Sequence, residues 1–231
     1  MKENFSIKLN RFGKSLLNIL LKRSNFTITP LMYGLDKVRK NFVFENEYIR
    51  NSTLELLSYE IYDKNILGSV AELGVYKGNF AKNINKAFPD RKFYLFDTFE
   101  GFDERDLKTE IKENYSSGKA IFSNTSENLV LSLMKYKENC IIKKGYFPET
   151  AHRVNDKFSF VSIDVDLYDP TYQGLAFFYK CLSSGGFIMI HDYNNKSYKG
   201  VKAALRIFSR EYSVPYFPLC DAGGSVIINK P

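Results

Sequence analysis

Residues 69–79, Ser69-Val70-Ala71-Glu72-Leu73-Gly74-Val75-Tyr76-Lys77-Gly78-Asn79, decide the fold. An apolar strand, Ser69–Leu73, runs into a turn bracketed by Gly74 and Gly78 and then into a helical pattern. Glycine lacks a Cβ, so these two positions permit a tight turn and the close approach of a ligand to bare backbone. Glu72 places a carboxylate at the strand end, and Tyr76 lies within the turn. Alone, a Gly-xxx-Gly turn is also what a plain strand-to-helix connection looks like, and its neighbours in the chain give it meaning. About 20 residues on, the spacing of nucleotide-binding βαβ units, a second strand at 92–96 ends in Asp97 and Thr98. Asp97 there is placed to accept hydrogen bonds from ribose hydroxyls, because the first turn and the second strand end lie side by side above a parallel sheet.

Outward from this unit, short apolar runs alternate with longer helical stretches, the pattern of a parallel sheet with crossover helices. Further strands are read at 140–144, 158–163 and 186–190, and a pair at 214–219 and 225–229 flanks the turn Asp221-Ala222-Gly223-Gly224 as an antiparallel hairpin. Helices are expected at 47–62, 79–87, 126–137, 171–182 and 197–210, the last with Val201, Leu205, Phe208 and Tyr212 on one face and Ser197 as its cap. Residues 103–123 are polar and charged, which predicts a mobile loop beside the site. The fold class is therefore α/β: a Rossmann-like domain over 48–231 with a seven-stranded, mostly parallel sheet, a C-terminal antiparallel hairpin, and a basic amphipathic helical extension over 1–47.

The fourth strand runs into Ser162-Ile163-Asp164-Val165-Asp166 and the fifth into Ile190-His191-Asp192-Tyr193. Ligands of open α/β sheets sit outside the carboxyl ends of the strands, so Asp164, Asp166, His191 and Asp192 should converge on one rim. Carboxylates crowded together are costly unless a cation, a proton or substrate donors compensate them, which marks the rim as a site. The turn at Gly74 lacks the tight Gly-x-Gly that favours a dinucleotide, so a sulfonium nucleoside, S-adenosylmethionine, is preferred over a nicotinamide cofactor.

At 231 residues the chain suits one well-buried domain with an accessory segment. With 44% hydrophobic and 26% charged residues it reads as globular, and no apolar run approaches the roughly 20 residues that span a bilayer. The net charge of +7 suits a phosphorylated or nucleotide-linked small molecule. Nucleic acid is disfavoured because the 33 basic residues are interleaved with 26 acids rather than gathered in a stripe. Cys140, Cys181 and Cys220 are far apart, which argues against a zinc site or a disulfide framework and for a cytoplasmic location. The basic segment 1–31 is expected to pack on the domain or on a second copy, giving a homo-oligomer, with weak peripheral membrane contact as the minority reading.

The run Glu72 to Gly78, the block Phe96-Asp97-Thr98-Phe99-Glu100-Gly101-Phe102, the segment Gly145-Tyr146-Phe147-Pro148-Glu149-Thr150, the stretch Ile163 to Tyr168 and the strand Gly186 to Tyr193 together resemble the macrocin O-methyltransferase family, in the family's order. The resemblance implies a class I methyltransferase that uses S-adenosylmethionine, and a divalent metal such as magnesium, to methylate hydroxyls of sugar-containing small molecules. It implies that Glu72, Gly74, Tyr76, Gly78, Asp97, Thr98 and Asp164 form the cofactor site. It further implies that Asp164, with His191 and Asp192, holds the metal and that Asp164 or Asp166 is the base. One departure stands out: where the family pattern has two adjacent acids before the tyrosine, this chain has His191-Asp192. Imidazole suits softer ions than magnesium, and His191 becomes a rival general base because its ordinary pKa lies near neutrality. The competing readings are a nicotinamide-dependent oxidoreductase of similar fold and a non-catalytic protein that binds nucleotides or partners.

Overall fold

The computed structural model describes residues 47–119 and 122–231. The extension read at 1–47 falls outside the described residues except for Glu47. In chain order the elements are α1 (Tyr48–Asp63), β1 (Ser69–Leu73), α2 (Ala81–Ala87), β2 (Phe93–Asp97), α3 (Glu104–Lys112), α4 (Glu127–Leu133), β3 (Cys140–Lys144), β4 (Phe158–Ile163), α5 (Tyr168–Cys181), β5 (Leu182–Ile190), α6 (Lys199–Tyr212), β6 (Phe217–Pro218) and β7 (Val226–Asn229). No helix among the described residues is long and apolar enough to cross a membrane.

The seven strands form one sheet in the order β3-β2-β1-β4-β5-β7-β6. β1 pairs in parallel with both β2 and β4, so the strand order reverses at β1, and a crevice opens above its carboxyl end. β7 runs antiparallel to β5 and to β6, which closes the C-terminal side as the hairpin pattern predicts. Asp221 fastens that turn, its two carboxylate oxygens accepting from Ser225 N and Ser225 Oγ at 2.6 Å each.

Both faces of the sheet are covered, which is why β1 and β4 are buried along their whole length and are mainly apolar. On one face Leu73, Phe96, Val161 and Ile190 pack with Leu175 and Phe178 of α5 and Val201, Leu205 and Phe208 of α6. On the other Val70, Phe93, Leu95 and Phe160 pack with Leu54 and Ile61 of α1, Ile84 of α2 and Val130 of α4. Each fully buried Phe or Leu contributes about 1.5–3 kcal/mol over its exposed state, so this core fixes the strand ends rigidly.

Several boundaries differ from the sequence reading, each for a local reason. Residues 103–123 are not simply a loop, because α3 occupies Glu104–Lys112. Asp103 caps it by accepting from Arg105 N, and Glu104 and Asp106 suit the positive end of the helix dipole. Helix α6 begins at Lys199 with no side-chain cap, and Ser197 instead donates its N–H to Asn195 Oδ1. β5 starts at Leu182 rather than 186, since the chain re-enters the sheet directly after α5. The edge strand β6, which pairs with β7, is only two residues long. Helices α2 and α4 are shorter than read, and α4 is capped by Ser126, which accepts from Leu129 N.

Candidate active site

A cavity of about 750 Å³ opens above the carboxyl ends of β1, β2, β4 and β5. Of the residues singled out from sequence, Glu72, Gly74, Tyr76, Asp97, Thr98, Asp164, Asp166, His191 and Asp192 all line it. Gly78 does not. A Cβ on Gly78 would meet Val130 Cγ1 at 3.3 Å, so that glycine serves the packing of the turn against α4. Gly74 lines the cavity and carries a packing constraint as well. Its φ is +84°, and a Cβ there would lie 2.0 Å from the carbonyl oxygen of Asp164, so the close approach is to the end of β4.

The floor of the cavity is Glu72, 1% exposed, whose Oε2 is buried without a hydrogen-bond partner. Burial raises its pKa well above the ordinary carboxyl value, against the pull of Arg50. An acceptor left open at the base of a ligand-sized space fits the donors of a bound cofactor such as S-adenosylmethionine. Asp97, at the end of β2, ties the first turn together. Its Oδ2 accepts from Val75 N at 2.7 Å and Tyr76 N at 2.8 Å, and its Oδ1 from Phe99 N at 2.6 Å. Oδ1, which accepts only one of these bonds, keeps an acceptor site for a ribose hydroxyl. Thr98 spends its hydroxyl on Gly101 O at 2.6 Å, and the Tyr76 hydroxyl donates to Asn124 Oδ1 at 2.7 Å.

Replacing Asp97 with alanine removes the acceptor of those N–H groups as well as any ribose contact. The expected result is a loss of about 1–3 kcal/mol in S-adenosylhomocysteine binding, read by calorimetry. A correctly folded variant with unchanged affinity would exclude Asp97 from the cofactor site.

At the β4 and β5 ends the rim is a network. His191 Nδ1 lies 2.7 Å from Asp192 Oδ2 and 3.2 Å from Asp164 Oδ1, and its Nε2 lies 3.4 Å from Glu47 Oε1. Asp192 Oδ1 accepts from Asn195 Nδ2 at 2.6 Å. Asp166 and Asp192 both hold left-handed backbone, with φ of 62° and 58°, which turns the chain sharply at each strand end and aims both carboxyls at the cavity. Burial pulls the His191 pKa down, but Asp164, Asp192 and Glu47 outweigh it and push it up to about 12. Burial, then the charges of Asp164 and Asp192, push Asp166 up to about 9. Asp164 is held well below the usual carboxylate range because Arg50 and His191 outweigh its burial.

Arg50 was not anticipated. Its side chain is 3% exposed, donates from Nη2 to Asp164 Oδ2 at 2.9 Å, and lies 3.8 Å over the ring of Phe80. A second interaction reaches Glu47 Oε2 at 3.5 Å. Its sequence signal was available: Arg50, Leu54, Leu57 and Ile61 recur at helical spacing, which sets a guanidinium on the apolar stripe of α1. One donor atom from each of Asp164, His191 and Asp192 lies within 4.8 Å of the others, and Arg50 and Asn195 hold the outer oxygens of the two carboxylates, so the set fits a divalent cation.

A sequence model described as macrocin O-methyltransferase (TylF) matches residues 47–219, a span that takes in Glu47, Arg50 and every rim residue. The chain belongs to the macrocin O-methyltransferase family. Its members are S-adenosylmethionine-dependent O-methyltransferases, and this chain is one by that membership. No curated protein sequence matches it. Among solved structures it is similar to the O-methyltransferase NovP, with a TM-score of 0.63 and 18% identity over 79% of this chain and 80% of that one. CalS11, a calicheamicin methyltransferase, gives 0.62 at 18% identity, covering 78% of each chain. TomG from Streptomyces achromogenes, solved with S-adenosylmethionine, gives 0.53 at 10% identity over 78% of this chain and 80% of that one. At these identities the likeness is one of fold, and the mostly parallel sheet of a class I methyltransferase is what this macrocin O-methyltransferase relative shares with them.

The second unanticipated group faces the same cavity from α3. Asp106 is 6% exposed and accepts from the Tyr146 hydroxyl at 3.0 Å, while the Arg105 guanidinium stacks 3.5 Å from the Tyr146 ring. Burial pushes the Asp106 pKa up to about 6, although the Tyr146 hydrogen bond works against it. The folded state therefore holds a proton that the unfolded chain has already released between about pH 4 and 6, and stability falls as pH rises through that window. Asp106→Asn is expected to flatten this dependence and stabilise the protein at neutral pH by up to about 3 kcal/mol. Denaturant midpoints of both proteins across pH 4–8 check it.

Proposed function

We propose that the chain transfers the methyl group of S-adenosylmethionine to a hydroxyl oxygen of a sugar-containing small molecule, such as a glycan precursor, a nucleotide-sugar or a glycosylated metabolite. The observation that carries this reading is the conjunction, on one cavity, of the open acceptor Glu72 Oε2 with the cation-binding rim of Asp164, His191 and Asp192. The solved structure of CalS11 is described as that of a TDP-rhamnose 3'-O-methyltransferase, and a phosphorylated sugar of that kind also suits the net charge of +7 here.

Transfer needs the acceptor oxygen, the methyl carbon and the departing sulfur in line, so most of the rate comes from positioning two bound molecules. Glu72 and Asp97 orient the cofactor, the first from the floor and the second at the ribose, with Gly74 shaping the wall beside Tyr76 and Thr98. Asp164, His191 and Asp192 would hold a divalent cation, which when bound would supply Lewis-acid polarisation of the acceptor hydroxyl. Arg50 keeps Asp164 ionised and fixed, and Asn195 fixes Asp192 by donating to its Oδ1. Asp166 sits beside both; the charge of a bound cation would lower its raised pKa, and in its ionised form it takes the hydroxyl proton as general base. The same reading makes the enzyme cytoplasmic and assigns the basic segment 1–31 to self-association.

Incubation with S-adenosylmethionine labelled in the methyl group and a panel of nucleoside diphosphate sugars tests it. Label is expected in a sugar methyl ether, with Asp166→Asn at least about a hundredfold slower. Label transfer to nitrogen or carbon acceptors alone would overturn the oxygen assignment.

A further inference from the structure

The three inner atoms of the rim are not equivalent to three carboxylate oxygens. Two are oxygens, from Asp164 and Asp192, and one is the imidazole Nδ1 of His191, 3.2 Å and 2.7 Å from them. The outer atoms of the two carboxylates are held by hydrogen bonds, while the outer nitrogen of His191 faces a carboxylate without bonding to it. Arg50 grips Asp164 Oδ2 at 2.9 Å, Asn195 grips Asp192 Oδ1 at 2.6 Å, and Glu47 Oε1 stands 3.4 Å from His191 Nε2. A carboxylate beside the distal nitrogen of a histidine fixes the ring and raises its donor strength, the usual outer support of an imidazole that binds metal. The rim is only partly exposed, with the side chains of His191 and Asp192 at 12% and 7%.

We propose that His191 converts this rim from an all-oxygen site into a mixed nitrogen–oxygen site that selects a first-row transition-metal dication of the manganese–iron–cobalt–zinc series over magnesium. Magnesium demands near-octahedral oxygen ligation and gives up water reluctantly, so it gains little from an imidazole. First-row transition ions accept imidazole readily, and their affinity for nitrogen-containing sites rises along the series. The support around the ligands is rigid in the right places: Arg50 is buried in α1 and stacked on Phe80, and Asp164 and His191 leave adjacent parallel strands. The selectivity is thus built on one side chain, in a frame that would otherwise present carboxylates alone.

This inference rests on the reading of the rim as the cation site of a methyltransferase, and the test separates the two. The full chain is titrated calorimetrically with manganese and with magnesium, each with and without S-adenosylhomocysteine, and the pulsed electron paramagnetic resonance spectrum of the manganese-loaded protein is searched for coupling to nitrogen. Manganese is expected to bind more tightly than magnesium, with a directly coupled nitrogen. In His191→Asp the nitrogen coupling disappears and the manganese-to-magnesium affinity ratio falls by about tenfold or more. Asn195→Ala, which leaves all three ligands in place, is expected to keep the coupling while weakening both ions by about 10- to 100-fold. A manganese spectrum without nitrogen coupling, or an affinity ratio unchanged in His191→Asp, overturns the inference. So does the absence of any metal binding, and S-adenosylhomocysteine binding in that same sample would show that the cofactor reading survives.

Discussion

Arg50→Ala is expected to lower stability by about 3–5 kcal/mol, because it leaves Asp164 ionised in a buried rim without its strongest partner. For a domain of this size that corresponds to a fall of roughly 10 °C in melting temperature. The guanidinium is linked to Asp164, Ser162 and Glu47 and stacks on Phe80, so the truncation also frees the end of β4 relative to α1. Arg50→Lys keeps a charge but loses the planar fork and the ring stacking, and should recover only part of the loss. Thermal melts of the two variants beside the parent, with methyl transfer on the folded fraction, provide the measurement. Arg50 acts through Asp164, so its loss should also slow turnover in protein that remains folded.

The second large effect belongs to Gly74. Even alanine there places a carbon 2.0 Å from the Asp164 carbonyl oxygen and 2.7 Å from its carbonyl carbon, at a φ of +84° that a side chain disfavours. The neighbouring backbone cannot yield without breaking the pairing in which Gly74 N donates to Phe96 O at 2.9 Å and Asp164 N to Leu73 O at 2.8 Å. Both Gly74→Ala and Gly74→Val should therefore cost about 3 kcal/mol or more, or prevent folding. Gly78→Ala, whose nearest neighbour is a side-chain methyl of Val130 at 3.3 Å rather than backbone, should cost only about 1–2 kcal/mol, the left-handed penalty. Denaturant melts of the three variants distinguish a collision with backbone from one with ligand. Were Gly74→Ala stable but unable to bind cofactor, the glycine would be reserved for the ligand instead.

The sheet was legible because its central strands are buried on both faces and so read as short, mainly apolar runs. The rim acids were legible for a related reason: an ionisable residue directly after such a run has nowhere to point but the carboxyl end of the sheet. Helix α3 was hidden because the side chains it buries are Asp106 and Glu110, not hydrocarbons. Glu110 earns that place by accepting from Tyr168 N at 2.6 Å at the start of α5, a tertiary partner with no local trace. Arg50 escaped notice for the opposite reason, since the leucines and isoleucines of its helix were sufficient to explain the pattern. The packing demand on Gly74 was hidden because a Gly-rich turn signals close approach without naming every neighbour that approaches. In each case the missing information was the identity of a neighbour distant in sequence.

The account stands or falls on whether this one cavity, floored by Glu72 and walled by Asp97, is built for an S-adenosyl compound. Calorimetric titration of the full chain with S-adenosylhomocysteine, and separately with NADH, tests this most directly. The account predicts saturable binding of S-adenosylhomocysteine in about the micromolar range, roughly −8 kcal/mol, weakened in Glu72→Gln and Asp97→Ala, with no heat from NADH. Binding of NADH with none of S-adenosylhomocysteine would contradict it.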